Sequence, residues 1–267
     1  MTKWYNRNSA IYSSMLWVVS LVAIWEAVAM LIQDIWHLKS APMKLPYLHK
    51  IILTMVQNSA TIFGEGIATF GNAFLGFIIG SLIGLLLAVL ISISKPMENA
   101  LFPYLISSQM IPIVGLAPII FGIMHNPELS RIIMSAYVTF FPVTINTHRG
   151  LKSVKPEQLE LFSSYAAKPW EIYLKLKLWT AVPSFFTGLK LAAPLAITAA
   201  IVVELMGAPN GIGVLMVSSL YYGNAQAYMF WSTVLTSVFI GFAFYLILNL
   251  TERLIAPWQP EFHQNRR

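Results

Sequence analysis

The 267-residue chain has no cysteine. That excludes a disulfide framework and any zinc or iron–sulfur centre held by thiolates. Charge is also scarce. Asp, Glu, Lys and Arg make up 10% of the residues, against roughly 25% in a soluble domain. Hydrophobic residues fill 57% of the chain, and only a bilayer-facing surface can do without charge on that scale. The charge that is present leans positive, a formal +6 at neutral pH. No basic run interleaved with aromatics lies outside the apolar stretches. The excess is therefore read as Lys and Arg of cytoplasmic loops, and nucleic acid is set aside as a partner.

Catalytic patterns are missing too. There is no G-x-x-x-x-G-K-[S/T] phosphate loop, so the chain is not itself an ATPase. There is no H-E-x-x-H and no G-x-S-x-G. His37, His49, His125, His148 and His263 are scattered over loops and tails, so no metal, cofactor or catalytic residue is expected.

The sequence does have long apolar runs. A membrane helix needs about 20 mostly apolar residues, and six segments qualify: about 13–31, 67–93, 101–124, 129–147, 185–206 and 228–250. The expectation is an all-α polytopic membrane protein. The first run has Trp17, Trp25 and Glu26 in or near it and no small-x-small cleavage site after it, so it is read as a retained helix. With the N-terminus inside, cytoplasmic segments hold Lys3, Arg7, Lys95, Arg149, Lys152, Lys155, Lys168, Lys175, Lys177, Arg253, Arg266 and Arg267. External segments hold Lys39, Lys44, Lys50 and Arg131. The bias puts both termini in the cytoplasm, and an even number of spans agrees. Lys190 falls within the fifth span near its cytoplasmic end, where its stem can snorkel.

Between the first two spans a short helix is expected at about 46–58. Between the fourth and fifth lies a long basic stretch, about 148–184, punctuated by Pro156, Pro169 and Pro183. It reads as two short helices, 157–167 and 170–178, with a bend between them. In the second span Gly71, Gly76, Gly80 and Gly84 form a stripe that admits a close helix neighbour, with packing inside the chain favoured over a homodimer seam. Pro103, Pro112 and Pro118 suggest that the third span is bent, either lining a cavity or merely kinked.

Glu204, in the apolar run Ile201–Leu205, is the main ionisable group inside a span. It should face a wet cavity or a partner; a translocation-path or gate role and a carboxylate reaching the headgroups are equally open. For Glu26 the headgroup reading is favoured. Asn72, Gln109 and Asn146 are further path candidates, with interhelical hydrogen bonding as the plainer reading.

The 148–184 stretch contains Glu160, then Leu161-Phe162, Ala166, the Pro169-Trp170 pair, and Leu178-Trp179. It resembles the cytoplasmic loop of binding-protein-dependent ABC importer permeases, whose pattern is E-A-A, three residues, G, nine residues, I-x-L-P. Leu161-Phe162 replace the alanines, Ala166 stands at the Gly and Trp179 at the Pro. The likeness extends to Gly76-Phe77, Ile111-Pro112, Leu116-Ala117-Pro118, Phe140-Phe141-Pro142, Thr187-Gly188-Leu189-Lys190, Val203–Ala208 and Gly211-Ile212-Gly213. These motifs resemble the branch handling sulfonates, taurine, nitrate and thiamine or flavin precursors.

The resemblance implies one transmembrane permease domain over 1–267, with a cytoplasmic coupling helix between helices four and five. It implies a homodimer in the bacterial cytoplasmic membrane, in contact with membrane lipid, two ABC ATPase subunits and an extracytoplasmic binding protein. Glu160, Ala166, Ala167, Pro169 and Trp170 become coupling candidates; an amphipathic loop resting on the membrane is the alternative. The endings Glu160–Tyr165 and Glu252–Trp258 favour a thiamine pyrimidine precursor or riboflavin as substrate, with sulfonate, taurine or nitrate next. A membrane-embedded enzyme or scaffold is a further alternative, set back by the missing catalytic clusters, and a secondary transporter or channel without an ATPase is another. It would carry inverted repeats and midplane charges, and neither is evident here.

Overall fold

A computed structural model describes residues 2–258, and all regular structure among them is helical. Arg266, Arg267 and His263 lie outside the described residues. The helices are α1 (Thr2–Met30), α2 (Ala41–Lys44), α3 (Leu48–Gln57), α4 (Ser59–Ile93), α5 (Lys95–Ser108), α6 (Ile113–Met124), α7 (Pro127–Lys152), α8 (Pro156–Ser164), α9 (Pro169–Ile172), α10 (Leu178–Glu204), α11 (Ile212–Tyr221) and α12 (Ala227–Ile255). Among the described residues four helices are long and apolar enough to cross a membrane: Met15–Ile35, Ser59–Ile93, Pro169–Glu204 and Gly223–Ile255. A fifth joins them if α5 and α6 count as one broken span.

Several expected boundaries move. The third span is two helices meeting at 91°. Gln109 and Met110 close α5 with bonds back to Ile106 and Ser107, and Pro112, which has no N–H to give, caps α6. Pro103 and Pro118 sit inside helices without breaking them. Pro183 does not separate a loop from a span either. The helix runs on from Pro169 through a π-helical turn at Tyr173–Lys177 to Glu204, so the expected helix at 170–178 is the start of a longer one. α4 begins eight residues before the expected Ile67. α7, the expected fourth span, is about 39 Å long at 1.5 Å per residue but does not meet the same apolarity criterion. Its Ser130, Arg131, Ser135, Thr139, Thr144, Thr147 and His148 are covered by protein.

The chain divides into two compact units. One comprises residues 1–64 and 215–236, the other 65–214 and 237–267. In the first, side chains tie down the irregular segment before α3. Trp25 and Trp231 donate their indole N–H groups to the carbonyls of Pro46 (2.9 Å) and Met43 (3.0 Å), and their rings meet edge-on. Gln33 donates to Leu45 O at 2.8 Å. Tyr47 donates its hydroxyl to Asp34 at 2.6 Å, which pushes the phenol up to about 12. Glu26 accepts from the amide and ring of His49.

The second unit is built on α7. Gly76, Gly80 and Gly84 of α4 press on its backbone: a Cβ on Gly84 would stand 2.6 Å from Phe140 O, and Gly76 and Gly80 are at least as close to Ile132 and Ala136. A Cβ on Gly71 would meet nothing within 4 Å, so Gly71 takes no part in this contact. On another side Gly188 meets Pro142 and Val143, and Ser135 donates to Ala196 O at 2.9 Å. Ala192, Ala193, Ala196 and Ala200 of α10 join Phe77 and Phe244 in the main apolar cluster. The small residues explain how a polar α7 becomes so enclosed: with no side-chain bulk between them, neighbouring helices approach to backbone contact. Midway along α10, Lys190 does not merely snorkel. It pairs with the buried Glu252 at 2.7 Å, joining α10 to α12.

Gly80→Ala is expected to destabilise the protein by about 1–3 kcal/mol through overpacking against backbone, whereas Gly71→Ala leaves stability unchanged. Thermal unfolding of the two purified variants in one detergent checks this pair.

Candidate functional site: a buried ion pair and an exposed knuckle

Glu204 is the last residue of α10, and its partner is Arg131, one turn into α7. Both are enclosed, 1% and 0% exposed. Arg131 Nη1 donates to Glu204 Oε1 at 3.1 Å, and the same guanidinium holds Asn210 through its backbone carbonyl (3.1 Å) and side-chain oxygen (3.0 Å). Thr69 of α4 donates to both carboxylate oxygens, at 2.8 and 3.0 Å.

The chain after Glu204 wraps round this carboxylate. Gly207 and Gly211 adopt positive φ, +107° and +118°, which turns the segment back. Gly211 also packs so tightly on the Glu204 carboxyl that no Cβ fits there. The result caps the start of α11. Gly213 N donates to Glu204 Oε2 at 2.8 Å, Ile212 N to Thr69 Oγ1 at 2.9 Å, and Gly211 N to Glu65. Acidic groups at a helix N-terminus satisfy its orphan amides and suit its dipole. One carboxylate thus joins α4, α7, α10 and the first residues of α11.

Of the two possibilities open for Glu204, a wet cavity or a partner, the structure gives the partner. Arg131, assigned from sequence to an external loop, is the residue that reading missed. The other path candidates are not gathered here. Asn72 and Asn146 donate back to Ala68 O and Pro142 O on their own helices, and Gln109 is exposed where α5 breaks. Position offered one signal: Arg131 lies only two residues into the expected fourth span.

The second constellation is the α8–α9 bend. Pro156 opens α8 and Pro169 opens α9. α8 ends in a tight cap, with Ala166 N bonding Ser163 O (2.9 Å) and Ala167 N bonding Phe162 O (3.1 Å). This cap requires a left-handed residue at 166, and Ala166 has φ +52°. The backbone therefore has the shape for which glycine is the ordinary choice. Around the bend Glu160, Ala166, Pro169 and Trp170 are exposed and Ala167 is half-buried. Leu161, Tyr165 (80% exposed), Trp170 (58%) and Leu174 leave an exposed apolar knuckle, and Trp179, also exposed, meets the ring of Trp258 edge-on. A concavity of about 380 Å³ opens among Leu161, Phe162, Tyr165, Ala167, Glu171 and Lys175.

Residues 80–258 match the family of binding-protein-dependent transport system inner membrane components. The chain belongs to that family. It is a multi-pass cytoplasmic-membrane permease subunit of an ABC importer, not an enzyme, and ATP hydrolysis lies on a separate subunit. Among its relatives is the formylaminopyrimidine transport permease protein ThiX of Halalkalibacterium halodurans, 29% identical over 91% of this chain and 94% of the relative. Another is the putative aliphatic sulfonates transport permease protein SsuC of Bacillus subtilis, 27% identical over 91% of this chain and 86% of the relative. A chain from inward-facing conformations of the MetNI methionine ABC transporter shares the fold, with a TM-score of 0.64 at 16% identity over 73% of this chain and 96% of that one.

Two outcomes test these geometries. Arg131→Met is expected to cost about 3–5 kcal/mol because it strands a buried carboxylate. The double variant with Glu204→Gln should lose less than the sum of the single changes, as read in a thermal-denaturation cycle. Ala166→Gly should slow amide exchange over residues 166–167 about fivefold, the equivalent of about 1 kcal/mol of relieved strain.

Proposed function

We propose that this permease is one half of a homodimer that crosses the membrane with six spans per chain, both termini cytoplasmic, and imports a thiamine pyrimidine precursor or a riboflavin-like compound. In this reading the broken α5–α6 pair is one span and α7 another. The polar groups of α7 are tolerated in the bilayer because protein covers them. The whole chain is one permease domain, with the cytoplasmic coupling loop at about 148–184.

The observation that carries the coupling assignment is the exposed knuckle at 161–179 within a permease family match. An apolar surface of this kind on a charge-poor chain calls for a partner, and the ATPase subunit is the partner that the family supplies. Glu160, Ala166, Ala167, Pro169 and Trp170 form its contact face. Pro169 and the tight cap at Ala166 stiffen the bend, so that ATPase closure is passed on as a rigid-body movement. The π-helical turn at Tyr173–Lys177 joins the knuckle to α10, whose far end carries Glu204. In this proposal Glu204 acts at the gate as a latch: it holds the ends of α4, α7 and α10 and the start of α11 as one body. Asn72, Gln109 and Asn146 are the path-facing polar groups of the same proposal.

The substrate assignment is supported by the likeness to the formylaminopyrimidine permease over nearly the full chain. The similarly long match to the sulfonate permease supports an alkanesulfonate as the second reading. Docking of the ATPase is tested with Ala166→Arg. Ala166 already bears a Cβ in the left-handed region, so Arg adds bulk and charge without a new backbone penalty. Uptake and co-purification of the ATPase should be lost while expression and membrane insertion persist. Unchanged uptake would overturn the coupling assignment.

A further inference from the structure

A cleft of about 510 Å³ opens in the unit formed by residues 1–64 and 215–236, between α3, α11 and the turn before α12. That is the size of a small-molecule site, about 300–1,000 Å³. Its chemistry is unusual for a chain this apolar. Asn58, Ser218, Ser219 and Gln226 supply amides and hydroxyls, and the rings of Tyr222 and Tyr228 lie beside them. No residue lining it carries a charge. Several of these polar groups have capacity to spare. Ser219 Oγ is buried, its residue 1% exposed, without a hydrogen-bond partner. The Asn58 amide donates to Thr54 O at 3.0 Å, leaving its own oxygen open.

We infer that this cleft is a binding site for a neutral, nitrogen-rich aromatic ring such as an aminopyrimidine. The inference rests on the substrate class proposed above and deepens it. Amides and hydroxyls both donate and accept, which matches the alternating ring nitrogens and amino groups of such a heterocycle, and tyrosine faces stack on its plane. A sulfonate or nitrate would require a cation or a set of converging N–H donors. The nearby ammonium of Lys50 is held over the rings of Tyr47 (4.7 Å) and Tyr228 (5.8 Å) and does not line the cleft. Selectivity for the heterocycle over an anion is therefore written partly into the permease.

The absence of cysteine gives a direct test. Ser218→Cys makes the only thiol in the full chain, within the cleft. Leu220→Cys, two residues on, 53% exposed and outside the cleft, is the control. Both are reconstituted in nanodiscs and alkylated with an uncharged reagent, with and without a formylaminopyrimidine or taurine. The pyrimidine at about ten times its Kd should slow alkylation at 218 about tenfold by simple occupancy, leave 220 unaffected, and taurine should protect neither. Asn58→Cys replaces Ser218→Cys if the latter does not fold. Uptake of labelled formylaminopyrimidine by cells with and without the chain is measured in parallel. Chain-dependent uptake with no protection, or equal protection by taurine, overturns the cleft and spares the substrate assignment. No chain-dependent uptake overturns both.

Discussion

The contact between Arg131 and Glu204 is the constraint on which the larger unit depends. Two charges removed from water are tolerable only if they meet in good geometry and most of their remaining groups are hydrogen-bonded. Here Thr69, Asn210 and the amide of Gly213 complete the carboxylate and most of the guanidinium, leaving Arg131 Nε alone without a partner. Such a pair adds little net stability over an apolar replacement, yet it is specific. It forms only when α4, α7 and α10 are in one register and the segment after α10 has turned back. An interaction with those properties suits a protein that must hold a set of helix ends together while other parts move.

The pair could not be buried without the glycines and alanines beneath it. Gly76, Gly80 and Gly84 bring α4 onto the backbone of α7, and Gly188 with the alanines of α10 closes another side. That closeness also resolves the odd chemistry of α7. Most of its buried hydroxyls bond to their own helix, as Thr139 does to Ser135 O and Thr144 to Phe140 O, or across to α10, as Ser135 does, while Thr147 Oγ1 has no partner. The helix carries a load of polar groups that hydropathy alone would send to water, and it hides them in protein rather than in lipid.

The knuckle at the α8–α9 bend follows the opposite logic. Its backbone is tightly specified, by two prolines at helix starts and a left-handed cap at Ala166, while its apolar side chains remain uncovered. Rigid shape with exposed apolar surface is the combination expected where one protein pushes on another. Ala166 adopts the left-handed conformation for which glycine is the ordinary choice.

Composition and the apolar runs by themselves determined that the chain is helical and bound for a membrane, because a surface so poor in charge has no other solvent. Proline spacing located the starts of α8 and α9 to within a residue, since a proline at the first helical position imposes its own boundary. The small-residue stripe at Gly76, Gly80 and Gly84 was legible for the same local reason, the absence of side-chain bulk. The break at Pro112, the continuity through Pro183 and the enclosure of α7 were not legible, because neighbouring helices rather than local propensity decide whether a proline or a hydroxyl is tolerated. Only the tertiary structure decided that Glu204 meets Arg131. The two lie 73 positions apart, and no pattern along the chain encodes a distance that exists only once three helices have packed.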